Sequence, residues 1–413
     1  MINLFFIVHD NSGAKTYANE LLNYLSFQKD IIIHKVYLES NDCDEYTVKK
    51  EDNGMTIIIP AVNRKMGTLE KYAARCIDLM SPLLQNRKNI IFHLNSSTHV
   101  KIGLQARKRY NAKLVYTLHY LRNYFSSFAL GTHNPKEVCI TGDDIDKEIA
   151  NQADQIICVT RFASDMLHLH YSIPLSKLHV IYNGVGKLDG LQSDSNEKIK
   201  ENIRQQLGFQ ADSKLFLFVG RLILDKGVEK LLEVFNRIST DYPKSRLILV
   251  GDGDCTPFMA QVHDNIGRVS FTGKLPYEKV VQLYTIADIG VIPSEFEQCS
   301  YVALEMMKHG LPIIASAVPG MGELFEHQRN ALLISVRKRQ DGQLGPELND
   351  ESLYEKIKLL LNDKALAKKI AKNARENWKL NFTAERMGRE TISTYKKCLP
   401  QQQIRCNLKV MIQ

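Results

Sequence analysis

The chain predicts two consecutive α/β domains, each built on a parallel sheet. Three observations carry this. Short apolar runs alternate with stretches of helical period through the first half, the pattern of strand–helix–strand units. A polar segment of low apolar periodicity, 186–213, interrupts the alternation. The alternation then restarts at Lys214–Val219. A chain of 413 residues has room for two or three domains with sizeable cores.

In the first half, Leu4–Val8 reads as an apolar strand, Asn11-Ser12-Gly13-Ala14 as a turn and Lys15–Leu25 as a helix. Ile31–Val36, Thr56–Ile59, Ile90–Leu94, Leu114–Leu118 and Gln155–Val159 read as further strands, with a helix over Val100–Tyr110. The stretch 121–145 fits no clean period and reads as a loop over a cleft or an insertion. Asn183-Gly184 is a turn that ends this half, and the boundary is expected near residue 187.

In the second half, Gly220-Arg221 closes the strand Lys214–Val219, and Asp225-Lys226-Gly227 precedes a helix from Val228. Leu247–Val250 is a strand, and the Asp252-Gly253-Asp254 behind it reads as turn chemistry rather than a metal pair. Phe271-Thr272-Gly273-Lys274 ends the next strand, and Val281–Ala287 is a helix. Val291-Ile292-Pro293 is a buried strand, Ser294 to Cys299 a polar loop, and Tyr301–Met307 a helix stopped by Gly310 and Pro312. Ile313-Ile314-Ala315 is the following strand, and Pro319–Glu323 is expected as a flexible turn at the lip of a cleft.

Open parallel sheets bind ligands outside the carboxyl ends of their strands. Helix N-termini there present unpaired N–H groups that suit phosphate. Glu297 falls in such a loop, and Glu305 lies eight residues on, about two helical turns. A diphosphate buried away from water needs its charge neutralised, and an arginine fork plus a lysine supply that. Arg221 and Lys226 stand at a strand end where they could do so; solvated surface charge is the alternative for both. Gly13 follows the first strand and would admit a ligand close to the backbone, or simply make a tight turn. His119, at the end of the strand Leu114–Leu118, is either structural or turned to the cleft, and His9 and Asp10 could face the same cleft. His168 and His170 lie two apart in a helical stretch and so point apart, which argues against a metal pair.

Other classes are disfavoured. Residues 267–275 resemble a phosphate-binding loop but carry one residue too many before Gly273 and Leu275 where Ser or Thr belongs. Gly251 and Gly253 lack the third glycine and the later acid of a dinucleotide fingerprint. The eight cysteines are scattered with no CxxC pair, which fits reduced thiols and a cytoplasmic setting. No apolar run approaches a membrane span, and the first residues enter a strand without a basic leader. Residues 351–413 hold fourteen Lys/Arg against six Asp/Glu, a net of +8 that equals the net of the whole chain. This basic end, with Trp378, Phe382, Met387, Ile392 and Tyr395 expected on the buried side, is a solvated helix face or a contact for an anionic membrane. Nucleic acid is not expected, since basic and aromatic residues do not interleave.

The stretch PSEFEQCSYVALEMMKHGLPIIAS (293–316) resembles the glutamate–seven–glutamate signature of retaining GT-B glycosyltransferases, particularly family 4. FVGRLILDKG (218–227), VGDGD (250–254), VSFTGKLPYEKVVQLYTIADIGVIPS (269–294) and VIYNGV (180–185) resemble other segments of that family, in order. The resemblance implies two Rossmann-like domains facing across a cleft: 1–187 for the acceptor, 188–384 for the nucleotide-sugar donor, with a last helix in 385–413 packing back on the first. It implies a retaining transfer of a sugar from a nucleotide donor, UDP before GDP, to a hydroxyl acceptor, with no metal and no cofactor. Arg221 and Lys226 would hold the diphosphate and Glu305 the ribose. Glu297 would meet the donor sugar near its reacting carbon, as nucleophile or as orienting group. The family has Phe-Gly where this chain has Cys299-Ser300, and backbone N–H groups of Ser300 and Tyr301 would reach phosphate. Lys274 would lie near the nucleobase, and Gly13 near the donor phosphates, where the family carries two glycines. His119 matches a histidine that touches the donor sugar or shapes the cleft; the acid that often follows is Tyr120 here. The alternatives are an epimerase or phosphorylase on the same fold, or a binding protein that uses the basic end.

Overall fold

All seven residues of the first strand, Ile2–Val8, are buried. Burial on both faces requires cover on both sides, which a parallel sheet between helix layers provides. The computed structural model describes residues 1–8, 12–40, 45–60, 69–120, 145–187, 197–262, 265–338 and 346–400. His9, Asp10 and nearly all of the aperiodic stretch 121–145 lie outside the described residues.

The first sheet has eight strands: β1 (Ile2–Val8), β2 (Ile31–Ser40), β3 (Thr47–Glu51), β4 (Gly54–Pro60), β5 (Ile90–Leu94), β6 (Lys113–Leu118), β7 (Gln155–Cys158) and β8 (Leu178–Val180). Their spatial order is β3-β4-β2-β1-β5-β6-β7-β8. Only β3 runs antiparallel, against β4. The second sheet has six parallel strands: β9 (Lys214–Val219), β10 (Ser245–Val250), β11 (Val269–Gly273), β12 (Ile289–Ile292), β13 (Ile313–Ser316) and β14 (Leu332–Ile334). Their order is β11-β10-β9-β12-β13-β14. A small antiparallel pair, β15 (Val336–Lys338) and β16 (Pro346–Leu348), stands beside it.

Each order contains a reversal. In the first sheet the chain builds to one side of β1 and then crosses to β5 on the other; in the second it does the same between β9 and β12. Helices connecting the strands on either side of such a point lie on opposite faces, which leaves a crevice outside the carboxyl ends. Residues after β1 and β5 therefore edge one crevice, and residues after β9 and β12 edge the other.

Two expectations are corrected. The first helix begins at Ser12, so Gly13 occupies its first turn rather than a turn preceding it. Pro319–Leu324 is a short helix rather than a flexible turn, with Pro319 at its first position and Gly320, Met321 and Leu324 buried. An added Cβ at Gly320 would lie 2.1 Å from the Gln298 carbonyl oxygen, so only glycine allows that approach. β3 and β8 carry no clear apolar run; β3 exposes its three central residues.

The chain passes between the domains twice, and the two passages are joined. Val185 N–H donates to the Phe382 carbonyl at 3.0 Å, and Ala384 N–H donates to that of Val185 at 3.2 Å. Arg386 ties the same point by donating to the carbonyl oxygens of Tyr182 and Asn183. The last helix, Ala384–Cys398, buries Met387, Tyr395 and Cys398 with Tyr17 and Leu21 of the first helix. Trp378 and Phe382, just ahead of it, are also buried. The Tyr395 hydroxyl reaches the fully buried His93 Nδ1 at 2.6 Å, and His93 Nε2 meets Thr117 Oγ1 at 2.7 Å. Burial, with His119 nearby as a lesser cause, pushes the His93 pKa down to about 3, so the ring is neutral and both nitrogens need partners. Replacing Tyr395→Phe leaves His93 Nδ1 unsatisfied, a cost of about 1–3 kcal/mol. Amide exchange over 384–398 is expected to rise by the corresponding factor of about five or more; unchanged exchange there means the contact does not hold the helix down.

Candidate functional site

The crevice beside β9 and β12 is built by a close approach of two loops. Gly227 has a φ of +67°, and a Cβ there would lie 2.1 Å from the Pro293 carbonyl oxygen. Glycine thus lets the loop after β9 lie against the end of β12. Glu295 N–H donates to the Asp225 carbonyl at 2.8 Å and fixes the contact. Lys226 Nζ consequently reaches Glu297 Oε1 at 2.7 Å, although 71 residues separate them. Ser294 Oγ donates to the same oxygen at 3.1 Å. Side-chain exposure is 18% for Lys226 and 15% for Glu297, so the pair is largely withdrawn from water.

Arg221 lies exposed at the start of the same loop. Burial raises the Asp225 carboxyl pKa, Lys226 and then Arg221 oppose the rise, and Glu297 adds to it. Arg221, Asp225, Lys226 and Glu297 therefore form one electrostatic group. The helix Tyr301–His309 starts beside it, and Ser300 is its buried N-cap, accepting from Ala303 N–H at 3.4 Å. Tyr301 packs against both domains' apolar cores, and its hydroxyl is buried with no hydrogen-bond partner among the described residues. Glu305, in the second turn, accepts from the Tyr284 hydroxyl at 2.8 Å. Burial pushes the Glu305 carboxyl up to about 7; Tyr284 and Lys308 pull it down, and Glu20 adds to the rise. Glu20 belongs to the first domain and accepts from Gly186 N–H at 2.9 Å. Lys274 is exposed at the end of β11, the edge strand two places from β9. The aspartates of the Asp-Gly-Asp turn serve the turn itself: Asp252 accepts from Gly253 N–H and Asp254 from Thr256 N–H, each at 2.9 Å.

The first domain meets this group through the neighbours of Glu297. Phe296 is buried in the first domain's core, and the Tyr120 ring meets it edge-on at 5.1 Å. Thr160 Oγ1 donates to Gln298 Oε1 at 2.5 Å. Glu323 accepts from the N–H groups of Arg161 and Phe162 at 2.7 and 2.8 Å, capping the helix Arg161–Tyr171 from the opposite domain. Glu297 is thus clamped on both flanks at the domain boundary. His119, beside Tyr120, rests edge-on against Tyr17 at 4.6 Å and bonds Asn95. Gly13 is exposed, with nothing within 4 Å of where a Cβ would stand.

The structure brings Lys226 and Glu297 into contact, sets Arg221 and Asp225 around them, and places Ser300, Tyr301 and Glu305 on the adjoining helix. Lys274 stands apart at the sheet edge, and Gly13 and His119 belong to the facing domain. Sequence reading assigns no contact to Ser294, Gln298, Tyr284, Glu20 and Asn95, and has Glu323 only within the turn expected at the lip of the cleft. Ser294 and Gln298 flank a named residue and were within reach of spacing; the rest act across 20 or more residues and leave no local signal. Among the described residues no three His, Cys, Asp or Glu side chains converge as a metal site, and no helix is long and apolar enough to cross a membrane.

Comparison with known proteins defines the class. The model of the family described as Glycosyltransferase Family 4 matches residues 11–186, and that of Glycosyl transferases group 1 matches 199–377. The chain belongs to the family 4 glycosyltransferases and has the GT-B fold. Among its relatives is an uncharacterized glycosyltransferase of Methanocaldococcus jannaschii, 29% identical over 246 residues, which are 59% of this chain and 60% of the relative. The match thus spans less than two thirds of that relative's length. Sucrose-phosphate synthase from Thermosynechococcus elongatus superposes with a TM-score of 0.73 at 20% identity, over 96% of this chain and 99% of that one. Anabaena HepE in complex with UDP and glucose gives 0.67 at 18%, over 96% and 100%.

The Glu323 cap predicts a mechanical effect. A carboxylate at a helix N-terminus contributes about 0.5–2 kcal/mol. Glu323→Ala is therefore expected to shift the domains several-fold toward an open arrangement, read as a longer interdomain distance by single-molecule energy transfer. An unchanged distance distribution would show that the cap does not hold the domains together.

Proposed function

We propose that the protein transfers a sugar from a nucleotide-sugar donor to a hydroxyl acceptor, with retention at the anomeric carbon. The observation that carries this is the Lys226–Glu297 pair at the strand-order reversal, clamped between two domains. A UDP-sugar is the favoured donor, and HepE, whose structures hold UDP, UDP-glucose, or UDP and glucose, supports that choice.

The donor diphosphate enters beside Arg221 and Lys226, and Lys226 turns part of its charge from Glu297 to phosphate. The N–H groups of Ser300 and Tyr301 add donors at the helix tip. These cations do for the diphosphate what a divalent ion would do, so the reaction is proposed to run without metal. As the bond from the anomeric carbon to the leaving phosphate oxygen breaks, its electron pair goes to that oxygen. The two cations stabilise the charge that develops. The acceptor hydroxyl attacks the same face, and its proton passes to the departing phosphate. Glu297, freed from Lys226, faces the positive charge that grows on the sugar ring. Glu305 receives the ribose hydroxyls, Gly13 and His119 line the facing wall, and Lys274 approaches the base. Closure of the domains keeps water from competing with the acceptor.

Arg221→Ala, Lys226→Ala and Glu297→Gln are each expected to lower transfer by about a hundredfold or more, the scale of one lost electrostatic contact to the transition state. The folds should persist by circular dichroism, and the wild-type product should keep the donor's anomeric configuration by NMR. Transfer that survives all three substitutions would reject this site.

The Glu305 carboxyl gives a pH dependence. Its folded pKa of about 7 lies above the ordinary carboxyl value. Ribose hydroxyls donate to the ionised form, so nucleotide affinity should fall as pH drops through about 7. Glu305→Gln should remove that component and leave weaker, flatter binding in titration calorimetry. The nucleotide's own phosphate titration is common to both proteins. Identical pH slopes in the two would reject Glu305 as the ribose acceptor.

A further inference from the structure

His119 is held by a side chain that has no freedom in how it presents itself. Asn95 follows β5 directly and His119 follows β6, and these strands are adjacent and parallel. Asn95 is 3% exposed. Its Nδ2 donates to the Ile7 carbonyl of β1 at 2.9 Å, and its Oδ1 lies 3.1 Å from His119 Nε2. One amide thus spans the ends of three neighbouring strands.

The chemistry of the three groups leaves one arrangement. A carbonyl oxygen only accepts, so the amide atom against Ile7 must be the nitrogen. Turning the amide over would set two acceptors, Oδ1 and the Ile7 carbonyl oxygen, against each other. The oxygen therefore faces His119, and an amide oxygen only accepts. His119 Nε2 must then carry a proton. In the neutral ring the lone pair is left on Nδ1, across the ring from Asn95. The edge of Tyr17 at 4.6 Å restricts the plane of the ring, and the Tyr17 hydroxyl is itself fixed at 3.1 Å from Thr117 Oγ1.

We propose that Asn95 is a positioning residue that locks His119 in the Nε2–H tautomer. Nδ1 is thereby the ring's acceptor: in the neutral ring it can receive a hydrogen bond and cannot donate one. The consequence for catalysis rests on the glycosyl-transfer reading; the tautomer itself does not.

The experiment uses the full chain with 15N-labelled histidine, and His119 is assigned by the signal lost in His119→Gln. Long-range 15N–1H correlation reads which nitrogen is protonated at a pH where the ring is neutral. The wild type is expected to show Nε2–H. A wild-type Nδ1–H signal overturns the proposal without any variant. Asn95→Ala is expected to give mixed tautomers and to lower kcat about tenfold, the size of one hydrogen bond, with KM for the donor little changed. Retention of pure Nε2–H in a folded Asn95→Ala also overturns the proposal. Absence of any sugar transfer by a wild type with the expected tautomer would count against the glycosyl-transfer reading instead, while leaving the Asn95–His119 lock supported.

Discussion

Lys226 and Glu297 are two opposite charges that have given up most of their water and meet each other instead. Removing charges from water costs several kcal/mol apiece, and a partly buried pair recovers this only with good geometry and further hydrogen bonds. Here the geometry is a 2.7 Å contact, and the further bond comes from Ser294. Such a pair is costly to break by removing one member and inexpensive to break by exchanging one anionic partner for another. A phosphate oxygen can replace the carboxylate as the lysine's partner with little change in net desolvation. That exchange is the physical core of the proposed chemistry, because it releases Glu297 at the moment the diphosphate arrives.

The pair exists because of backbone, not side-chain, decisions. The loop after β9 carries Gly227 in the left-handed region, and no residue with a Cβ could approach Pro293 as it does. Gly320 plays the same part on the other side of the loop, lying against the carbonyl oxygens of Glu297 and Gln298. Between them these glycines compress three connections into one crevice at the reversal of strand order. The charged residues then need only follow the ends of β9 and β12 to meet.

The fold class was legible because strands buried on both faces must be nearly continuous apolar runs, and β1, β5, β9 and β12 are. Strands that are short or exposed were not legible. Thr47–Glu51 shows no apolar run because its central residues face solvent, and only pairing with β4 makes it a strand. The helix at Pro319 was hidden by its two glycines, which suggest a turn until Gln298 is seen pressing against one of them. The neighbours of Glu297 show the same division. Its place in a loop after a strand follows from spacing, but the burial of Phe296 in the first domain does not. That contact depends on where two domains meet, and no local pattern of residues encodes it.

The contacts that clamp Glu297 are each of modest strength. Phe296 buries an aromatic ring, worth about 1.5–3 kcal/mol. The Thr160–Gln298 bond and the Glu323 cap add about 1 kcal/mol each. A domain boundary held by this set is stable enough to order the loop, yet modest enough that the proposed donor could open it. The covalent passages at Val185 and Phe382 are meanwhile joined by two backbone hydrogen bonds and pinned by Arg386. The hinge is thus fastened through the backbone and the jaws through side chains alone. Under the proposed transfer, a boundary of this kind would open to admit the donor, close to exclude water and open again to release the nucleotide product, which a tightly glued boundary would not do.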